Sequence, residues 1–333
     1  MTFENRRRSF GAPSASRPAL RGPKGDKGNP GAVGPPGADG VLSRGVYHVD
    51  DFGAVARPFH DPLVTLTDAE RSANVVAINA CLEAARIHYA DGTDFGGTVY
   101  IGPGVYHTND AVGYDLNEDV NLGVTLQGLG PFPTMIFCNS TTREAFKLYT
   151  TSGNIRMFYM KDLAIYGGRT GLSLVRACYN RFDRVFFWGS FQFALQDYLG
   201  SGNVFNECYT TDTRQTLASG GGGAAMFVSS ADIMTNCTFG EGSGPVFVIG
   251  GGLQINGGYG YGMFYDDGPV NYTDYWTTPG APVNVSLNYY LGEPAAFFGT
   301  ACDLLFSNFR FSTAKQFLCL FDGRDIAFNG CQI

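Results

Sequence analysis

From residue 155 onward one seven-residue pattern recurs, and it constrains the fold more tightly than any other feature of the chain. The segments YMKDLAI, RFDRVFF, VFNECYT, IMTNCTF, QINGGYG, LFSNFRF and AFNGCQI align without gaps. Their fifth residues are Leu163, Val185, Cys208, Cys237, Gly258, Phe309 and Cys331, at successive spacings of 22, 23, 29, 21, 51 and 22. Column two is apolar every time: Met160, Phe182, Phe205, Met234, Ile255, Phe306 and Phe328. Columns five and seven are mostly apolar or small, and two polar positions separate columns two and five. The chain therefore enters a core, turns through a two-residue polar bend, and resumes alternation with period two. Such a bend, recurring about every 22 residues with like residues above like, predicts a parallel β-helix with rungs stacked about 4.8 Å apart. The interval of 51 is close to two turns. It predicts a further rung near VNVSLNYY (283–290) together with an insertion. Column three holds Asn206, Asn256 and Asn329, residues expected to accept left-handed backbone and to bond along the stack. The cysteines of column five read as core packing.

A second period lies upstream. Gly22, Gly25, Gly28, Gly31, Gly34, Gly37 and Gly40 fall on every third position, with Pro23, Pro30, Pro35 and Pro36 between them. Only glycine fits the axis of a collagen triple helix, so residues 22–40 predict a stalk and three chains. Residues 1–21 are basic and poor in core residues, and they predict a flexible anchoring tail. They contain arginines but no apolar stretch of the kind found in a signal peptide.

Composition narrows the partners. A net charge of −7 argues against nucleic acid, and no run of about 18 apolar residues predicts a membrane span. None of the eight cysteines forms a CxxC pair or a Cys/His cluster at metal-ligand spacing, so no metal or cofactor is expected. All four histidines, at 48, 60, 88 and 107, precede the repeat, which leaves no convincing Ser/His/Asp set.

Between stalk and repeat, residues 41–130 carry one amphipathic helix, DAERSANVVAINACLEAARIHYA (68–90). Val76, Ala80 and Ala84 keep helical spacing, with Ile78, Cys81, Leu82 and Ala85 alongside. A strand, a Gly/Pro turn and a second strand follow in GGTVYIGPGVYHT (96–108). The pieces DDFGA (50–54), SANVVAINACLEAA (72–85), GGTVYIGPGVY (96–106) and LQGLG (126–130) resemble the N-terminal signature of the pectate-lyase-like right-handed β-helix superfamily. The resemblance implies a helix that caps the solenoid and hides its open edge. It implies no single activity, because that superfamily includes lyases, hydrolases, esterases and non-enzymes. The whole order of basic tail, collagen-like stalk, capping helix and all-β right-handed parallel β-helix (131–333) resembles a bacteriophage tailspike or tail fibre. That resemblance implies a homotrimer made in the host cytoplasm and carried on the virion tail. Its N-terminus would dock on other tail proteins, and its β-helix would contact host surface polysaccharide.

Two groups of residues are candidates for glycan chemistry. Column four stacks Asp162, Arg184, Glu207 and Asn236. Adjacent rungs would put Asp162 and Glu207 about 9.5 Å apart, at the upper edge of the spacing used by inverting glycosidases. Arg184 between them would hold substrate carboxylates, or would simply neutralise its neighbours in a solvated charge ladder. The second group is the insertion near 259–280, with Asp266, Asp267 and Asp274 as carboxylates and Tyr265, Tyr272, Tyr275 and Trp276 as sugar-stacking rings. Tyr and Trp serve a chain–chain contact equally well. The alternatives to a glycan-binding spike are a non-enzymatic structural spacer and a free-standing polysaccharide lyase relative. The repeat runs to Ile333 without a visible cap, so a further chain or domain is expected to cover that end.

Overall fold

The two-residue bend of the repeat has one backbone solution, and a computed structural model shows it in seven rungs. Column four is left-handed throughout: Asp162, Arg184, Glu207, Asn236, Gly257, Asn308 and Gly330 have φ of 58°, 52°, 53°, 52°, 70°, 53° and 62°. The left-handed residue is thus not the column-three asparagine. Asn206, Asn256 and Asn329 instead end the extended strands Val204–Asn206, Leu253–Asn256 and Ala327–Asn329. The physical reason is registry. Column three still pairs with its neighbouring rungs, so the rotation that makes the corner falls on the next residue.

The structure describes residues 45–58, 66–90, 96–191, 193–211, 224–228, 232–239, 246–250, 253–261, 295–301, 305–312, 316–320 and 327–332. The basic tail, the Gly-X-Y run and residues 262–294 of the insertion lie outside them. By contact the chain divides into Met1–Val41 and Leu42–Ile333, and all the described residues belong to the second unit.

That unit is a parallel β-helix. The described strands form three sheets, and every ladder between rungs is parallel. The largest sheet folds around the column-four corner, as in Tyr159–Gly167 and Arg181–Trp188. The second contains Val112–Leu116, Phe146–Thr150, Thr170–Val175 and Phe193–Tyr198. The third side is short: Val120–Asn121, Ile155–Arg156 and Ala177–Cys178. Pairing follows the sequence columns residue for residue, since Met160 pairs with Phe182, Phe182 with Phe205, Phe205 with Met234, and Met234 with Ile255. These column-two side chains are buried. Phe182 and Phe205 stack with ring centroids 4.8 Å apart and planes 11° from parallel. Cys208 and Cys237 are buried in column five.

The long interval does not hide a rung in this stack. Gln254–Asn256 pairs directly with Leu305–Ser307, and Tyr259–Tyr261 pairs directly with Arg310–Ser312. No rung stands between these strands, and residues 262–294, including the stretch 283–290 where a further rung is expected, lie outside the described residues.

The helix spans Asp68–Ala90. Thr67 and Glu70 start it as a reciprocal cap: the Glu70 carboxylate accepts from the Thr67 backbone N–H at 2.8 Å, and the Thr67 hydroxyl accepts from the Glu70 N–H at 3.3 Å. Its inward stripe is Asn74, Ala77, Ile78, Cys81, Leu82 and Ala85. Val76 and Ala80 point outward, because the 74/77/78/81/82/85 spacing already fills one face. Polar ties fix the cap on the first rungs. The Tyr114 hydroxyl donates to the Leu82 carbonyl at 2.6 Å, and the Asn79 side chain accepts from the Gly113 N–H at 2.9 Å.

One position before column one, a polar ladder runs inside the wall. Asn180, Asn203 and Asp232 are buried there on successive rungs. The Asn203 side-chain Oδ1 accepts from the Asn180 backbone N–H at 3.0 Å and from its side-chain amide at 3.1 Å. The Asn203 backbone N–H donates in turn to Asp232 at 2.9 Å.

Candidate functional site

Columns five and seven point inward, so columns six and eight face out from the strands that follow the corner. In column eight, register places His107 beside Phe137, Phe137 beside Tyr166, and Tyr166 beside Trp188. The four rings form an unbroken row, with centroid separations of 5.0, 4.5 and 5.5 Å. The last two contacts are edge-to-face, at 88° and 75°, the arrangement favoured by ring quadrupoles.

Glycine makes room for the row. A Cβ on Gly189, at φ 64°, would sit 2.9 Å from the Tyr166 ring, and one on Gly167, at φ 74°, would sit 3.0 Å from the Phe137 ring. Each ring therefore lies over backbone where a side chain would otherwise stand. Column six lines the row with Val105, Met135 and Ala164, which form an apolar cluster separate from the core. Phe186 and Tyr209 extend it at 5.1 Å, and Phe132 closes on Phe186 at 5.6 Å while remaining 62% exposed. Burial lowers the pKa of His107, so this end of the row is neutral at pH 7. The result is a largely uncharged aromatic surface on the outside of a rigid scaffold. Such a surface stacks on flat, partly apolar faces such as those of sugar rings.

A charged cluster occupies the other side of the corner. The Arg184 guanidinium grips Asp162 through two bonds, Nε to Oδ1 at 2.6 Å and a terminal nitrogen to Oδ2 at 3.0 Å. Glu207 is exposed one rung further on. Column four thus brings Asp162 and Arg184 together, with Arg184 between the two carboxylates. Asp266, Asp267, Asp274, Tyr265, Tyr272, Tyr275 and Trp276 lie outside the described residues. Beside the pair, the Tyr159 hydroxyl and the Arg181 Nε both donate to Asp183, the latter at 3.0 Å, and the Lys161 ammonium sits 5.3 Å from the Tyr159 ring centroid. Among the described residues no three His, Cys, Asp or Glu side chains converge as metal ligands do.

Burial, reinforced by the hydrogen bond to the Asp183 carboxylate, pushes the Tyr159 phenol up to about 12. A raised phenol pKa means that the fold favours the neutral form. That stabilisation is fully present below the ordinary tyrosine value of about 10 and is lost as pH rises through about 12. Burial raises the Tyr106 and Tyr114 phenols as well, so absorbance titration at alkaline pH should show a group of late tyrosinates, from which the one near 12 disappears in Tyr159→Phe. Ionisation of this residue near 10 would contradict the buried bond.

Sequence reasoning missed the aromatic row because the aligned repeat stopped at column seven. Extended by one residue, it reads Tyr166 and Trp188 in column eight, on a face where alternation requires outward side chains.

No known protein family matches the chain, and no curated protein matches it. Among solved structures, ORF18 of Geobacillus virus E2 is 14% identical with a TM-score of 0.54, covering 88% of this chain and 61% of that one. PfbA, a surface adhesin of Streptococcus pneumoniae, is 12% identical with a TM-score of 0.53, covering 85% of this chain and 72% of that one. The chain thus spans about three-fifths of the first match, and at these identities the likeness is one of fold: the β-helix seen in the strand register is shared with both.

Proposed function

We propose that this chain is a virion attachment protein of the tailspike or tail-fibre type, whose β-helix binds host surface polysaccharide along its outer aromatic row. The row His107–Phe137–Tyr166–Trp188 carries the reading. It is a linear platform, and successive rungs set its rings about one strand spacing apart. The remaining parts come from the sequence. The Gly-X-Y run holds three chains together, and the basic residues 1–21 dock on other tail proteins. Cleavage of the bound glycan would draw on Asp162 and Glu207, or on Asp266, Asp267 and Asp274 of the insertion.

The test is binding of purified surface polysaccharide from candidate hosts to the full chain, followed by affinity electrophoresis. One polysaccharide should retard the wild type, and Trp188→Ala should weaken that retardation about ten-fold, or ~1.4 kcal/mol. Binding that is indifferent to Trp188 would move the glycan site away from the row. Shortening of the polysaccharide that vanishes in Asp162→Asn or Glu207→Gln would make column four catalytic.

A further inference from the structure

The short third side of the β-helix carries apolar residues in backbone that does not suit them. Two residues before column one, four successive rungs turn through left-handed conformation: Gly123, Met157, Tyr179 and Gly202 have φ of 61°, 61°, 55° and 67°. The opposite corner of the same side does likewise at Arg176 and Leu199, with φ of 54° and 57°. Glycine fits such corners, whereas bulky side chains are disfavoured there by contact between Cβ and the carbonyl. Burial does not compensate, since Met157, Tyr179 and Leu199 are 45%, 67% and 47% exposed.

Register makes Met157 and Tyr179 one surface, with Leu199 at the other corner of the same side. Arg156 pairs with Cys178, and Cys178 bridges to Ser201, so Met157, Tyr179 and Gly202 follow one another up the stack. The Tyr179 ring lies over Gly202, where an added Cβ would approach it to 2.9 Å. Glycine on two of the four rungs shows that the corner folds without a side chain. The stability of a single chain therefore gives no reason for methionine and tyrosine on the other two. Strained backbone under exposed apolar groups is the mark of a surface kept for contact.

We infer that this side faces a second copy of the chain, with the Met157, Tyr179 and Leu199 patches of three chains meeting around a three-fold axis. The inference rests on the trimeric reading of the proposed function. A Gly-X-Y run works only with three chains, so each patch is tethered to two others at high effective concentration. A contact of three side chains, weak alone, is then sufficient. The exposed Arg176 stands at the rim, where its charge stays solvated.

Two measurements on the full chain test it. The first is hydroxyl-radical footprinting with the mass followed in parallel. In a particle of three times the 35.8 kDa chain mass, Met157, Tyr179 and Leu199 should be labelled about ten-fold more slowly than their intrinsic reactivities allow. Phe132, comparably exposed in one chain, should be labelled freely. The second is dilution of Met157→Gly/Tyr179→Gly, whose corner matches that of the glycine rungs. It should dissociate at about ten-fold higher protein concentration than the wild type. A wild-type monomer would remove the trimeric reading and this inference with it. A trimer whose patch is labelled at the solvent rate, or a glycine variant that dissociates with the wild type, would overturn this face alone.

Discussion

Asn203→Ala is expected to destabilise the fold by about 3–5 kcal/mol, the largest effect of any single polar substitution in the described wall. The Asn203 side chain is buried and makes four bonds. It accepts two from Asn180, at 3.0 and 3.1 Å, and donates to the Ala177 carbonyl at 2.8 Å and to the Asp197 carboxylate at 2.6 Å. Alanine deletes all four and leaves the Asn180 amide and the Ala177 carbonyl inside the wall without these partners. The bond to the buried Asp197 side chain is the shortest of the set. The cavity is small, so the cost is mostly desolvation without return. The denaturation midpoint in urea should fall while the slope stays constant, as expected when the native contacts change and the unfolded chain does not. A loss below about 1 kcal/mol would mean that water replaces the amide, and that the ladder contributes alignment more than stability.

The double variant Tyr166→Ala/Trp188→Ala should abolish polysaccharide retention, lowering affinity about a hundred-fold, while the β-helix stays folded. The two rings touch at 5.5 Å and form the C-terminal half of the row. Each offers a face of the kind that sugar rings cover, worth about 1–1.5 kcal/mol when truncated, and the pair together gives the two decades. Both rings are half-buried over Val105, Met135 and Ala164, so the unfolding free energy should also drop, by about 2–4 kcal/mol, with the remaining rungs intact. Affinity and stability measured on the same preparation separate the two roles. Lost stability with affinity unchanged would show that the row braces the strands and does not serve a ligand.

The fold was legible because its signal is repeated. Column two is apolar in seven segments, and the strand register reproduces that alignment at Met160, Phe182, Phe205 and onward. The corner was harder to place. Asn206 looked like the left-handed residue on side-chain grounds, but Glu207 takes that role, because registry and not propensity decides which residue turns. The interval between Gly258 and Phe309 was misread for a related reason. Spacing alone cannot distinguish a rung from an excursion, and only pairing of Gln254 with Leu305 resolves it. The aromatic row was hidden by the pattern that revealed the core, since outward positions carry no repeat requirement. Asn180 and Asn203 escaped notice because a buried amide before a strand reads, in sequence, like an ordinary turn residue.

Direct pairing of Leu253–Asn256 with Leu305–Ser307 separates shaft from decoration. Because the rungs close on each other without the intervening residues, whatever lies between Tyr261 and Ala295 can lengthen, shrink or be exchanged at an entropic cost that grows only with the logarithm of its length. An exchange at that junction leaves the pairing of Gln254–Asn256 with Leu305–Ser307 as it stands. The rungs on either side fix where such a segment leaves and rejoins the stack, and not how long it is.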